Sequence, residues 1–99
     1  MPKKAKSQGG TVEMLIAHES GELDEGSRVN LFQRLIDDGS AWRLQGSYGR
    51  AAMELIRAGR CMLGPSGHRD YYGNYVPSRR EVKPGTPGSP EFVKRMQRV

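Results

Sequence analysis

The run Leu44-Gln45-Gly46-Ser47-Tyr48-Gly49-Arg50 holds the residue types in this chain best suited to gripping an anion. Two glycines flank Ser47-Tyr48 where a helix is expected to begin. Main-chain N–H groups at a helix start, with a guanidinium one turn further on, can bind phosphate or carboxylate. The same residues also fit a tight turn in which Ser47 caps the helix and Tyr48 packs on Trp42. No Gly-Lys-Ser/Thr comes after it, so the pattern is not a nucleoside-triphosphate loop. Just upstream, Asp37 and Asp38 fall in the expected last turn of a helix, where the dipole disfavours negative charge. Either the pair faces a partner, or Arg43 or Arg50 neutralises it.

Downstream, Arg69, Tyr71, Tyr72, Tyr75, Arg79 and Arg80 interleave aromatic and basic side chains. That mixture suits base stacking with phosphate contacts on single strands. It equally suits a strap whose tyrosines cover a small core, or a segment that orders on a protein partner. His18, Cys61 and His68 match no zinc spacing and lack a fourth ligand. There is no nucleophile elbow, and no Cys-His or paired-carboxylate spacing. The expectation is a chain without enzymatic activity, with no catalytic, cofactor or metal residues. Its candidate partner-binding set is Asp37, Asp38, Trp42, Arg43, Gln45, Tyr48, Arg50, Tyr71, Tyr72, Tyr75, Arg79 and Arg80.

Helices must position these residues. Leu-Ile pairs at Leu15-Ile16, Leu35-Ile36 and Leu55-Ile56 recur every twenty residues, one for each of three expected helices. The first runs from about Val12 to Glu19, capped by Thr11, with Val12, Leu15 and Ile16 on one side, and Ser20-Gly21 stops it. The second starts at an Asp24 cap and carries Val29, Phe32, Leu35 and Ile36 at helical spacing, with Gly39 as its left-handed stop. Residues 40–46 form a connection anchored by Trp42 and Leu44. The third helix runs from Ser47 or Tyr48 to Ala58, burying Tyr48, Ala51, Ala52, Leu55 and Ile56, and Gly59 ends it. After the breaker Gly64-Pro65-Ser66-Gly67, residues 68–76 are short, aromatic and open to an extended form. Pro77, Pro84, Pro87 and Pro90 punctuate the next stretch of chain, and Ser89-Pro90-Glu91 starts a short last helix.

The expected fold is therefore all-α: a small three-helix domain over 11–64, a flexible basic arm over 1–10, and an extended Pro/Gly-rich basic tail over 65–99 with its short C-terminal helix. The 99 residues suffice for one modest core. The arm carries +3. Residues 11–64 carry six Arg against eight acids, and 65–99 carry seven Lys or Arg against three, so the net +5 lies in the flanks. Such flanks suit nucleic acid or an acidic protein surface, or only solubility. No apolar run approaches a membrane span and the start lacks a signal peptide's apolar stretch, so no membrane partner is expected. The single Cys61 suits a reducing cytoplasm.

The block Leu31-Phe-Gln-Arg-Leu-Ile-Asp-Asp-Gly39, then Ala41-Trp42, Leu44-Gln-Gly-Ser-Tyr-Gly-Arg50 and Leu55-Ile56, preceded by Gly21-Glu22-Leu23, resembles a family of small uncharacterised proteins of tailed bacteriophages. The resemblance covers about residues 12–62. It implies a viral protein made in the cytoplasm of an infected bacterial host, and carries over no catalytic residue. A second likeness, of Glu19-Ser-Gly-Glu-Leu-Asp-Glu25 to the start of anti-sigma factors, lacks the Cys pair of their zinc site. The reading is a small basic accessory protein that binds a host or phage protein. A nucleic-acid-binding protein and a minor virion component are the alternatives. Oligomeric state is left open.

Overall fold

The computed structural model describes residues 13–44 and 46–97. Two compact units divide between Leu31 and Phe32. The arm, Thr11, Val12, Gln45 and Arg98 lie outside the described residues.

In the first unit, residues 13–19 are helical (α1). Glu22 N–H donates to Ala17 O at 2.8 Å and Gly21 N–H to His18 O at 3.1 Å, with Gly21 at φ 76°. This paired closure satisfies carbonyls that the last turn leaves open, and glycine takes the left-handed position without a Cβ penalty. The next helix, α2 (Glu25–Asp38), starts on the expected cap. Asp24 Oδ1 accepts the Ser27 N–H at 2.8 Å. The backbone and side-chain hydrogen bonds from Ser27 hold the Asp24 carboxyl below its ordinary range. One expectation fails here: Ile16 is 63% exposed, so the apolar seam over Val12, Leu15 and Ile16 does not bury its isoleucine.

The second unit holds a continuous buried cluster: Phe32, Leu35 and Ile36 from α2, Ala41 and Trp42 from α3 (Ser40–Arg43), and Tyr48, Ala52, Leu55 and Ile56 from α4 (Gly46–Arg57). Each large apolar side chain so buried contributes about 1.5–3 kcal/mol. Tyr48 stacks on Phe32, ring centres 6.0 Å apart, rather than on Trp42 as the tight-turn reading expects. The connection expected over 40–46 contains α3. Asp38 explains why: its Oδ1 accepts the Ser40 N–H at 2.8 Å, supplying the acid that a helix start favours. Gly39, at φ 86°, makes the reversal, and the His68 ring lies where a Cβ would stand. The helix α4 starts at Gly46, so Ser47 lies inside its first turn instead of capping it.

Beyond α4 the chain is not the extended tail expected. His68–Arg69 (β1) and Tyr75–Val76 (β2) pair antiparallel, His68 opposite Val76 and Arg69 opposite Tyr75. The fold is thus mostly helical with a small sheet, not all-α. Asp70 organises the turn: its Oδ1 accepts from Tyr72 N at 2.9 Å and Asn74 N at 2.8 Å, while Gly73 takes φ 87°. The segment after the hairpin is tied back at several points. Leu63 N–H donates to Gly88 O at 3.0 Å, and Arg79 N–H donates to Gly64 O at 2.9 Å. The buried Ser89 starts α5 (Pro90–Gln97) as expected, its Oγ accepting from Phe92 N at 3.2 Å and also from Gly85 N at 2.9 Å. The helix lies against Gly59, where a Cβ would strike Met96. The composition boundary after residue 64 therefore falls inside one compact unit.

Candidate functional site

Two clusters of polar and aromatic side chains lie in the second unit, and they differ in how fully they are partnered. The first joins the end of α2 to the Met62–Gly64 turn. Gln33 pairs with the main chain of Met62 on both edges, receiving Met62 N–H at 2.9 Å and donating to Met62 O at 3.0 Å. Asp37 Oδ1 accepts from Gln33 at 3.0 Å and from Arg79 at 2.8 Å. Arg79 also donates through Nε to Leu63 O at 2.8 Å. Arg79, not Arg43 or Arg50, therefore offsets Asp37, and Asp38 is taken up by the start of α3. Both acids and Arg79, members of the expected partner-binding set, thus make hydrogen bonds within the chain.

The second cluster is a groove of about 850 Å³ between α3 and α4 on one side and the β1–β2 hairpin with the 77–87 segment on the other. Leu44 and Met53 give it part-exposed apolar surface, backed by the buried Trp42, Ile56, Leu63 and Val76. Its polar residues are Arg50, Glu54, Arg57 and Asp70, and Tyr71, Tyr72 and Tyr75 also line it. The helix periodicity explains this placement. Arg50, Met53, Glu54 and Arg57 recur at i, i+3, i+4 and i+7 on one stripe of α4, beside the buried stripe of Tyr48, Ala52, Leu55 and Ile56. Gly46 lies beneath Tyr72: an added Cβ would stand 2.8 Å from the Tyr72 hydroxyl and 3.4 Å from Arg50 Nη1.

The tyrosines do not cover the core as a strap. Tyr71 and Tyr72 are 62% and 70% exposed and meet edge to face, ring centres 5.2 Å apart. Tyr75 is held at its base. Its hydroxyl donates to the Glu81 carboxylate at 2.9 Å, and the Arg69 guanidinium lies 5.8 Å from its ring centre. The hydrogen bond to Glu81, with partial burial and the carboxylate's charge, raises the Tyr75 pKa above 10.0, against a lowering by Arg69.

Of the expected partner-binding residues, the groove brings together Trp42, Arg50, Tyr71, Tyr72 and Tyr75. Tyr48 belongs to the core, and Arg43 and Arg80 are exposed and do not line the groove. Gln45 lies outside the described residues. The expected set left out Met53, Glu54, Arg57 and Leu63, although the first three follow from Arg50 by helical spacing alone. Among the described residues no three His, Cys, Asp or Glu gather to hold a metal ion. No helix there is long and apolar enough to cross a membrane.

A family model described as Domain of unknown function (DUF7417) matches residues 9–76, and the chain belongs to that family. The match takes in α4 and the whole hairpin, and stops before the 77–87 segment of the groove. Neither curated proteins nor solved structures gave a match.

Proposed function

We propose that this member of the family is a small, non-enzymatic accessory protein that binds a protein partner through the groove between α4 and the hairpin. The observation that carries the reading is the groove itself: a mostly apolar floor with part-exposed Leu44 and Met53, lined by three tyrosines and two arginines. Aromatic and Arg side chains over an apolar floor are the composition of protein-interface centres. The resemblance to tailed-phage proteins supplies the setting, a host protein met in the cytoplasm of an infected bacterium.

A photo-crosslinking amino acid placed at Tyr72 tests this in bacterial cells expressing the full chain. The expected result is one discrete adduct, absent when the same group stands at exposed Lys94. No adduct at Tyr72, or the same adducts from both positions, would contradict the proposal.

A second reading, binding of single-stranded nucleic acid, is favoured by the exposed Tyr71–Tyr72 pair beside the arginines of the groove. Stacking on such rings with phosphate contacts tolerates any base sequence. It predicts affinity for a fluorescent oligothymidylate that falls steeply as salt rises. Absence of binding at low salt removes this reading.

A further inference from the structure

The groove is chemically uneven, and the unevenness selects among peptides. At its α4 end two polar groups stand close together beside Gly46. The Tyr72 hydroxyl and Arg50 Nη1 lie 2.8 and 3.4 Å from one point, the position a Gly46 Cβ would occupy. Arg50 is exposed, and among the described residues it has no ion pair or hydrogen bond. On the hairpin, Asp70 lines the groove but is committed to its own turn through Tyr72 N, Asn74 N and the Asn74 amide. Glu54 is the other acid lining the groove, and it shares its stripe with two guanidinium groups, Arg50 and Arg57. The rest of the lining is mostly apolar, with Tyr71 and Tyr75 at the hairpin.

We infer that the groove takes a peptide segment in which an Asp or Glu side chain lies next to apolar residues, the carboxylate meeting Arg50 and the Tyr72 hydroxyl while the apolar side chains lie along Leu44 and Met53. This rests on the protein-binding reading above and narrows it to one partner chemistry. A guanidinium and a phenol together offer the charge-assisted donors that a carboxylate accepts. A lysine at the same place would face the like charge of the Arg50 guanidinium. The apolar floor supplies attraction without sequence demand, so the charge at the α4 end sets the preference.

The test is selection of an amidated, randomised dodecapeptide library composed of Leu, Phe, Ser, Asp and Lys on the immobilised full chain. Wild type, Arg50→Gln, Arg50→Lys and Tyr72→Ala are compared, and circular dichroism checks the fold of each. Amidation removes the terminal carboxylate, so only side chains can supply the acid. The expected result is enrichment of Asp over Lys by about tenfold in wild type, reduced to parity by Arg50→Gln and partly kept by Arg50→Lys. Equal recovery of Asp and Lys peptides, lost in Tyr72→Ala, overturns the carboxylate inference while leaving the groove as a protein site. Recovery of no peptide, or of peptides indifferent to Tyr72→Ala, overturns both. Displacement of the selected peptides by an equal concentration of oligothymidylate makes the end a phosphate site and overturns the inference too.

Discussion

Arg79 and Arg50 are the same residue type in the same compact unit, and they are used in opposite ways. Arg79 reaches Asp37 and the Leu63 carbonyl, and its own N–H closes on Gly64. Among the described residues Arg50 has no such partner, and it stands with Tyr72 at the end of the groove. The tyrosines divide in the same way: Tyr48 is stacked in the core, while Tyr71 and Tyr72 are exposed. A polar side chain that the fold already satisfies is scaffold, and one left unsatisfied beside apolar surface is the candidate for recognition. Residue type and position in sequence do not tell the two apart.

The largest expected effect tests whether the segment after residue 64 is part of the scaffold. Truncation after Leu63 removes Arg79, Val76 and the Gly88 carbonyl together, and should abolish the cooperative unfolding transition seen by circular dichroism. A truncated chain that kept its helicity and its transition would make the segment an appendage. Next, Leu35→Ala should cost roughly 2–5 kcal/mol in urea denaturation, the range for a fully buried leucine. In Leu15-Ile16 the same dipeptide has an exposed isoleucine, so Ile16→Ala should stay within about 0.5 kcal/mol.

Within the comparison itself, Arg79→Ala should cost about 2 kcal/mol. It strips a charged donor from a buried carbonyl, and the half-exposed Asp37 pair adds little once solvent screening is counted. The neighbouring Arg80→Ala should change stability by less than about 0.5 kcal/mol. Tyr72→Ala should do the same while removing groove binding, and a large loss of stability there would move Tyr72 into the scaffold.

The smallest effect concerns Tyr75. Its phenol pKa is raised in the folded state, so the fold favours the neutral hydroxyl. The contribution is present below pH 10 and is lost as pH rises through the folded value. Absorbance titration of tyrosinate should place one residue above the others, and Glu81→Gln should return it toward them. An unmoved titration curve in that variant would show that Glu81 is not the cause.

Much of the scaffold was legible in the sequence because its signals are local. The Asp24 and Ser89 caps, the Gly21, Gly39 and Gly59 stops, and the seams at Leu35-Ile36 and Leu55-Ile56 each depend on neighbours within one or two turns. The Gln33–Met62 pairing and the Arg79–Asp37 bridge join residues 29 and 42 positions apart, and nothing in local spacing brings them together. That is why the acids at the end of α2 read as a functional surface. The hairpin was hidden for a related reason: two-residue strands carry too little alternation to register, and an Asp70-centred turn sets their register instead. The groove was half legible. Trp42, Arg50 and the tyrosines drew notice by type, but only the hairpin's return to α4 shows that they share one surface while Arg79 does not.

Hydrogen exchange followed by mass spectrometry, on the full chain with and without the crosslink-identified partner, shows whether the groove is the surface that recognises it. Binding in the groove should add protection over residues 46–57 and 70–76, with the 33–37 and 62–64 clamp unchanged. Protection confined to residues 13–31 or 90–97, with the groove exchanging as before, would contradict it.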